Sequence, residues 1–275
     1  MQLSIGYSSC PNDTFIFDAL IHNKIDCKGI EFKLHMADVK ELNKMAFESK
    51  LDITKLSYHA YAYLTDFYVL LNSGSALGNN CGPLLIAKKE TAIEDVSSLK
   101  IAIPGKYTTA NFLLKLAFPD AAHCEEMLFD EIEEAVLTEK TDLGLIIHEN
   151  RFTYEQKGLK KVIDLGEFWE AQQQAPIPLG GIAIKRSIPN ETKFLVSELI
   201  KASIAYAFDN PTSSADYVKQ HAQEMETAVV KQHIALYVNE YSLDLGPTGK
   251  EAILKMYHLA KAKNLIPKIE KSIFL

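Results

Sequence analysis

The sequence predicts an α/β fold of two lobes, with one α/β unit inserted into the other. Strand-like and helix-like segments alternate along the first eighty residues, and a stretch rich in Gly, Ser and Asn at residues 73–82 then interrupts them. Two similar Gly-led apolar segments, residues 82–88 and 180–185, enclose a further α/β set. We expect these two segments to connect the lobes and to permit hinge closure around a ligand. A single doubly wound domain is equally compatible with the periodicity.

Local patterns predict the elements of the first lobe. Alternating or continuous apolar residues predict strands at residues 3–7, 32–36, 51–56 and 68–71. Helical spacing of apolar residues predicts helices at residues 15–22, 39–48 and 58–64. An Asn-Asp-Thr segment at residues 12–14 is typical of a helix start. Regular alternation of this kind favours a parallel sheet flanked by helices.

The inserted set is predicted in the same way. Between the two Gly-led strands, the pattern predicts strands at residues 100–103 and 143–147 and helices at residues 109–116 and 131–137. Residues 143–147 are continuously apolar, which is typical of a strand covered on both faces. After residue 185 the pattern is mainly helical. Two apolar stripes are expected to face the core: Leu195, Leu199, Ala202 and Tyr206, and Ile253, Met256, Tyr257 and Ala260.

Composition and charge exclude several classes of protein. The 275 residues include 29 basic and 36 acidic side chains, a formal charge of −7, and 47% are hydrophobic, as in folded globular proteins. The negative charge disfavours nucleic acid or an anionic membrane as a partner. Residues 1–7 carry no Lys or Arg and resemble a strand more than a secretory signal. No apolar run approaches the roughly 18 residues of a membrane span, so we expect a cytoplasmic protein.

The spacing of cysteine and histidine predicts no metal site. The four cysteines lie far apart without a C-x-x-C pair: Cys10, Cys27, Cys81 and Cys124. The eight histidines are scattered as well. We therefore expect reduced structural thiols and no bound metal.

Two strand-to-helix junctions are candidate anion sites. In residues 52–58 a strand runs into a helix at Ser57, where free amide groups and the positive end of the helix dipole attract anions and Lys55 adds charge. Residues 104–110 repeat this arrangement with Gly105 and two threonines before a helix. Together the junctions predict binding of one anionic ligand, such as a carboxylate. Plain capping by the hydroxyl residues and a solvated Lys55 is the alternative.

His148 is the candidate for proton transfer, because it follows the continuously apolar strand at residues 143–147. An imidazole with an ordinary pKa of about 6.5 is mostly neutral near neutral pH and can accept a proton. This makes His148 a candidate general base, and a hydrogen-bonded structural histidine is the alternative. The sequence contains no nucleophile elbow, no Ser/His/Asp arrangement and no dinucleotide-binding fingerprint.

Four segments carry a resemblance to a known family. The most specific are Ser-Cys-Pro-Asn-Asp-Thr-Phe at residues 9–15 and Ile-Ile-His-Glu-Asn-Arg-Phe-Thr-Tyr at residues 146–154. Residues 54–61, Thr-Lys-Leu-Ser-Tyr-His-Ala-Tyr, and residues 73–78, Ser-Gly-Ser-Ala-Leu-Gly, accompany them in order. Together they resemble the 1,4-dihydroxy-6-naphthoate synthase family of the futalosine route to menaquinone. Asn150 departs from the pattern, since Gly is expected there.

The resemblance implies a type II periplasmic-binding-protein-like fold, with a larger lobe of residues 1–86 and 184–275 and a smaller inserted lobe of residues 87–183. It implies a carbon–carbon lyase that converts cyclic dehypoxanthinyl futalosine to 1,4-dihydroxy-6-naphthoate. His148 would be the general base, and no cofactor is expected because formation of an aromatic ring drives the reaction. The residues that the resemblance implies as substrate contacts are Asn43, Lys55, Leu56, Ser57, Thr109 and Ala110.

Two alternative functions are compatible with the sequence. Chorismate dehydratase belongs to the same superfamily and pathway and shares the architecture. A non-catalytic receptor for an anionic solute would close on its ligand without chemistry. Each alternative also implies a small anionic ligand, and we expect the protein to act as a monomer or a homodimer.

Overall fold

The computed structural model describes residues 1–222 and 226–275, and the chain divides into two compact units. The first unit contains Met1–Gly78 and Pro178–Leu275, and the second unit contains Asn79–Ile177. Each unit has its own sheet accompanied by helices. This confirms the predicted α/β fold of two lobes and excludes the single doubly wound domain.

The elements of the described residues follow one another in βα order over much of the chain. The strands are β1 (Gln2–Tyr7), β2 (Glu31–Met36), β3 (Ile53–Ser57), β4 (Tyr68–Leu70), β5 (Ala76–Gly78), β6 (Leu84–Ala87), β7 (Ile101–Ile103), β8 (Cys124–Glu126), β9 (Leu143–Ile146), β10 (Lys160–Asp164) and β11 (Ile177–Lys185). The helices are α1 (Pro11–Ile21), α2 (Val39–Phe47), α3 (Tyr58–Tyr61), α4 (Thr109–Ala117), α5 (Ile132–Leu137), α6 (Asn150–Thr153), α7 (Leu165–Gln173), α8 (Asn190–Asp209), α9 (Ala215–His221), α10 (Thr227–Tyr237), α11 (Glu240–Leu243) and α12 (Gly246–Ala262). Short 3₁₀ helices occupy Ile93–Ser98 and Tyr154–Lys157. Within the described ranges, no helix has both the length and the apolar character that crossing a membrane requires.

The sheet of the first unit has the order β2-β1-β3-β11-β4, and β5 also pairs with β11. β1 lies parallel to β2 and β3, as the βα alternation predicts. β11 runs antiparallel to β3 and β4, so the sheet is mixed rather than parallel. Neighbouring parallel strands must be joined by a crossover connection, which is usually a helix. β11 instead follows a long insertion, so its chain direction is not fixed in this way and it can pair antiparallel. A Cβ atom at Gly180 would lie 2.7 Å from the carbonyl oxygen of Leu56, so glycine permits this close pairing.

The sheet of the second unit has the order β10-β6-β9-β7-β8. β7 is parallel to β8 and β9, whereas β6 is antiparallel to β9 and β10. All four residues of the central strand β9 are buried, as its continuous apolar run predicts. α5 packs directly on this strand, because a Cβ atom at Gly144 would lie 2.7 Å from the side chain of Ile132 and 2.8 Å from that of Val136.

The two long helices of the first unit differ in how well their buried faces are predicted. The buried residues of α12 include the predicted stripe of Ile253, Met256, Tyr257 and Ala260. On α8 the prediction is confirmed for Leu199, which is buried, and for Leu195, which packs against the core. It is wrong for Ala202, which is exposed while Ser203 is buried. The Ser203 hydroxyl donates to the carbonyl of Ile16 at 2.7 Å and accepts from the amide of Leu20 at 3.1 Å. These bonds to α1 allow a polar residue to face the core.

Candidate functional site

The loop between β1 and α1 contains a buried carboxylate. Asp13 is 0% exposed. It accepts hydrogen bonds from the Ser8 amide at 3.1 Å, the Ser8 hydroxyl at 2.6 Å and Asn12 Nδ2 at 2.9 Å. α1 begins at Pro11 with Cys10 at its N-cap, and Pro suits the first helical position because its missing N–H would have no acceptor within the helix. The predicted helix start at residues 12–14 is thus close to the observed one, and the Asp13 side chain accepts hydrogen bonds within the loop instead of capping the helix.

Lys55 forms an ion pair with Asp13 through its ammonium group. Lys55 belongs to β3, and its side chain is only 12% exposed, so the alternative of a solvated lysine is wrong. Each charge is costly to bury, and their pairing offsets part of that cost. The ion pair fixes the Lys55 ammonium beside the loop after β1, at the kind of strand end where α/β proteins bind ligands.

Asn43 and Ser57, two of the predicted contact residues, bind each other. Asn43 Nδ2 donates to the Ser57 hydroxyl at 3.2 Å, and Asn43 Oδ1 accepts from the Ser57 amide at 3.1 Å. The Ser57 hydroxyl makes no capping bond to α3, which has only four residues. The Ser57 amide is thus not the free N–H group that the strand-to-helix pattern predicts. Leu56 is 1% exposed, and its side chain packs in the core.

The start of α4 in the second unit has the capped form that the sequence predicts. Thr108 is the N-cap residue, and its hydroxyl accepts from the Asn111 amide at 3.2 Å and donates to the Gly105 carbonyl at 2.7 Å. Thr109 and Ala110 form the first two helical positions and are 3% and 4% exposed. α4 spans nine residues, so its first turn carries the positive end of a helix dipole, which favours anions.

His148 lies in a tight turn after β9. The strand ends at Ile146, and His148 adopts the left-handed backbone region with φ of 59°. This conformation costs a residue with a side chain about 1–2 kcal/mol, and such residues cluster at functional sites. The ring is partly exposed and meets the ring of Phe129 edge-on, with 5.0 Å between centroids. An imidazole that is oriented but not covered is suited to proton transfer.

Arg151 connects the segment after His148 to neighbouring elements of the second unit. Its guanidinium donates to the carbonyl of Gly82 and, at 2.7 Å, to Asp164 Oδ2. The Asp164 side chain is 1% exposed. Its other oxygen accepts from two amides in the first turn of α7, at 2.7 Å and 3.2 Å. One buried carboxylate therefore ties α6 to the start of α7.

Two partners of the predicted site residues are not evident from the sequence: Asp13, which pairs with Lys55, and Phe129, which meets the ring of His148. Asp13 and Lys55 are 42 residues apart, so no local pattern joins them. The signal that could have found this pair is the register of neighbouring parallel strands, since β1 pairs with β3 at Gly6 and Thr54. That register brings the loop after β1 close to the end of β3, where Lys55 lies.

Comparison with known proteins identifies relatives over the whole chain. The sequence model of a family described as menaquinone biosynthesis matches residues 3–262. A Thermus thermophilus protein named 1,4-dihydroxy-6-naphthoate synthase is 40% identical, covering 99% of both chains. A Streptomyces coelicolor protein of the same name is 42% identical, covering 96% of this chain and 95% of the relative.

Solved structures give the fold. A crystal structure of an Archaeoglobus fulgidus protein superposes with a TM-score of 0.91 at 37% identity, covering 96% of this chain and 98% of the other. The ligand-binding component of an ABC-type import system from Staphylococcus aureus has a TM-score of 0.74 at 14% identity, covering 100% and 96%. The alkanesulfonate-binding protein of Xanthomonas axonopodis has a TM-score of 0.69 at 15% identity, covering 97% and 94%. The fold is thus periplasmic-binding-protein-like, and the chain belongs to the menaquinone biosynthesis family.

Proposed function

We propose that this protein is a 1,4-dihydroxy-6-naphthoate synthase, a carbon–carbon lyase of menaquinone biosynthesis. It converts cyclic dehypoxanthinyl futalosine to 1,4-dihydroxy-6-naphthoate. The observation that carries the proposal is the identity of 40% and 42%, over nearly the full length of both chains, to two proteins of that name. These names do not favour chorismate dehydratase. The fold neighbours that bind solutes are 14% and 15% identical and support the fold alone.

His148 is the general base in this proposal. Its left-handed turn and the edge-on contact with Phe129 support the role, because they orient the imidazole while leaving it partly exposed. The ring removes a proton from a carbon of the substrate, and the electron pair of that C–H bond forms a new carbon–carbon double bond. The electron pair of the neighbouring carbon–carbon bond leaves with the sugar-derived fragment, which takes up a proton. Formation of an aromatic product drives the step, so we expect no cofactor. Positioned proton transfer of this kind typically contributes about 10²- to 10⁴-fold to the rate.

Substrate recognition in this proposal uses charge and hydrogen-bond donors. Lys55 offers a positive charge that Asp13 already orients, and the Asn43 and Ser57 side chains offer polar groups near the end of β3. Leu56 contributes only its backbone, since its side chain is in the core.

A second set of substrate contacts in this proposal lies at Thr109 and Ala110, where the first turn of α4 favours a carboxylate. We further propose that the ligand is a small anion and that the protein acts in the cytoplasm as a monomer or a homodimer.

The test is incubation of the purified protein with cyclic dehypoxanthinyl futalosine, and separately with chorismate, followed by mass analysis of the products. We expect the naphthoate from the first substrate and no change in the second. Absence of the naphthoate would overturn the proposed reaction, and dehydration of chorismate would replace it.

Substitution of His148 tests the catalytic assignment. His148→Ala should lower kcat by at least about 10²-fold, while calorimetry should show substrate binding close to that of the wild type. The matched control is His123→Ala, since His123 is an exposed histidine of the same unit, and its kcat should not change. A His148→Ala protein with normal turnover would remove His148 from the mechanism.

A further inference from the structure

Glu133, on α5, is the centre of a hydrogen-bonded group close to the turn that carries His148. Its side chain is 5% exposed. Its Oε2 accepts a hydrogen bond from Asn150 Nδ2 at 2.6 Å and forms an ion pair with Lys157 Nζ at 2.6 Å. Its Oε1 is buried and meets no hydrogen-bond donor among the described residues. A buried oxygen without a donor is unfavourable, so local stability alone does not account for a carboxylate at this position.

α5 is a fixed support for this carboxylate. Ile132 and Val136, on either side of Glu133 in the sequence, lie against Gly144 of β9. Both side chains are in the core of the second unit, at 0% and 1% exposure. Interiors packed in this way transmit displacement rather than absorb it. The position of Glu133 is therefore tied to β9, the strand that leads into His148.

α6, by contrast, depends on contacts with other elements for its position. It has four residues, and a single helical turn does not form stably without tertiary contacts. Asn150 is its first residue and stands two positions after His148. The bond from Asn150 to Glu133 ties this residue to α5, and the bonds from Arg151 tie the next residue to Gly82 and Asp164. The segment after His148 is thus fixed by contacts with α5 on one side and with Gly82 and Asp164 on the other.

We infer that the hydrogen bond between Glu133 and Asn150 positions the imidazole of His148 for proton transfer. The inference rests on the proposed function, because it assigns the two residues a role through His148. They are positioning residues, since they act on the backbone that follows His148.

The test exchanges the charges of the pair. Asn150→Asp sets two carboxylates against each other and breaks the bond. The double variant Glu133→Gln/Asn150→Asp restores it, because the side-chain amide at position 133 becomes the donor and the carboxylate at position 150 becomes the acceptor. Lys157→Met is the matched control, because it removes the other partner of Glu133 Oε2 and leaves the Asn150 bond in place.

Steady-state kinetics with cyclic dehypoxanthinyl futalosine distinguish positioning from structural support. Misplacement of a catalytic group by about 1 Å can cost about 10²-fold, so we expect Asn150→Asp to lower kcat by about 10- to 100-fold with little change in KM. The double variant should recover most of that kcat. Lys157→Met should lower the melting temperature but retain kcat. Normal kcat in Asn150→Asp, or no recovery in a folded double variant, would overturn the inference.

A spectroscopic measurement separates this inference from the proposed function. In protein labelled with ¹³C-histidine, the ring signal of His148 can be assigned by its loss in His148→Gln. We expect Asn150→Asp to shift that signal and the double variant to return it toward its wild-type position. If the wild type produces no naphthoate, the proposed reaction fails, while this shift still supports the positioning contact. An unshifted signal in Asn150→Asp overturns the inference even if the reaction is confirmed.

Discussion

Replacing Lys55 by Met removes the positive partner of a fully buried carboxylate. Asp13 is 0% exposed, and the Lys55 side chain is 12% exposed, so water screens the pair weakly. Breaking a buried pair by removing one partner typically costs about 3–5 kcal/mol. Asp13 retains three donors from Ser8 and Asn12 in the variant, which places the expected loss near the lower end, about 3 kcal/mol.

Thermal unfolding followed by far-ultraviolet circular dichroism measures this loss. In domains of about 150–250 residues, 1 kcal/mol shifts Tm by about 2–4 °C, so Lys55→Met should lower Tm by about 6–12 °C. The double variant Asp13→Asn/Lys55→Met is the control, because Asn has the shape of Asp without its charge. It should recover most of the loss, as neutral replacements of buried ion pairs often do.

Two results would contradict this reasoning. One is a Lys55→Met protein as stable as the wild type, and the other is a double variant no more stable than the single one. KM for the substrate gives an independent result, because the double variant recovers stability but still lacks the positive charge of Lys55. If Lys55 contacts the substrate, KM stays raised in both variants; if Lys55 only neutralises Asp13, KM returns with stability.

Two further substitutions test one unit each: the first tests a carboxylate charge in the first unit, and the second tests backbone packing in the second unit. Burial raises the pKa of Asp52, but hydrogen bonds from the Ser4 amide and hydroxyl and from Lys185 outweigh this effect and hold that pKa below its ordinary value. A pKa lower in the folded than in the unfolded state means that ionised Asp52 stabilises the fold above about pH 4, and this contribution is lost as the pH falls. Asp52→Asn should therefore flatten the fall of Tm between about pH 5 and pH 2, and an unchanged slope would contradict the assignment. In the second unit, the Cβ of Gly82→Ala would lie 2.3 Å from the backbone nitrogen of Gly166. Overpacking of this kind costs about 1–3 kcal/mol, so the urea midpoint should fall, and an unchanged midpoint would show that the backbones separate without cost.

Several features of the site could be predicted from the sequence because they depend on neighbours in the chain. The start of α4 after Thr108 and the turn that places His148 beyond β9 follow local rules of helix capping and strand length. The expected free amide at Ser57 was wrong for the opposite reason. Its hydrogen bond goes to Asn43, which is 14 residues away on α2.

The buried face of α8 shows that prediction from local sequence also has a limit in the core. Helical periodicity predicts an apolar stripe through Ala202, but the tertiary fold buries Ser203, because α1 supplies both a donor and an acceptor for its hydroxyl. A pattern of apolar residues cannot report a hydrogen bond to a helix that lies 183 residues earlier in the chain.

The sequence alone determined the α/β class and the family, because the periods of strands and helices and the specific segments around His148 can be detected along the chain itself. The tertiary structure decided which charges and amides are satisfied. The pairs between Asp13 and Lys55 and between Glu133 and Asn150 join residues 42 and 17 positions apart. Their formation depends on strand register and helix packing, and these arise only when the whole core has folded.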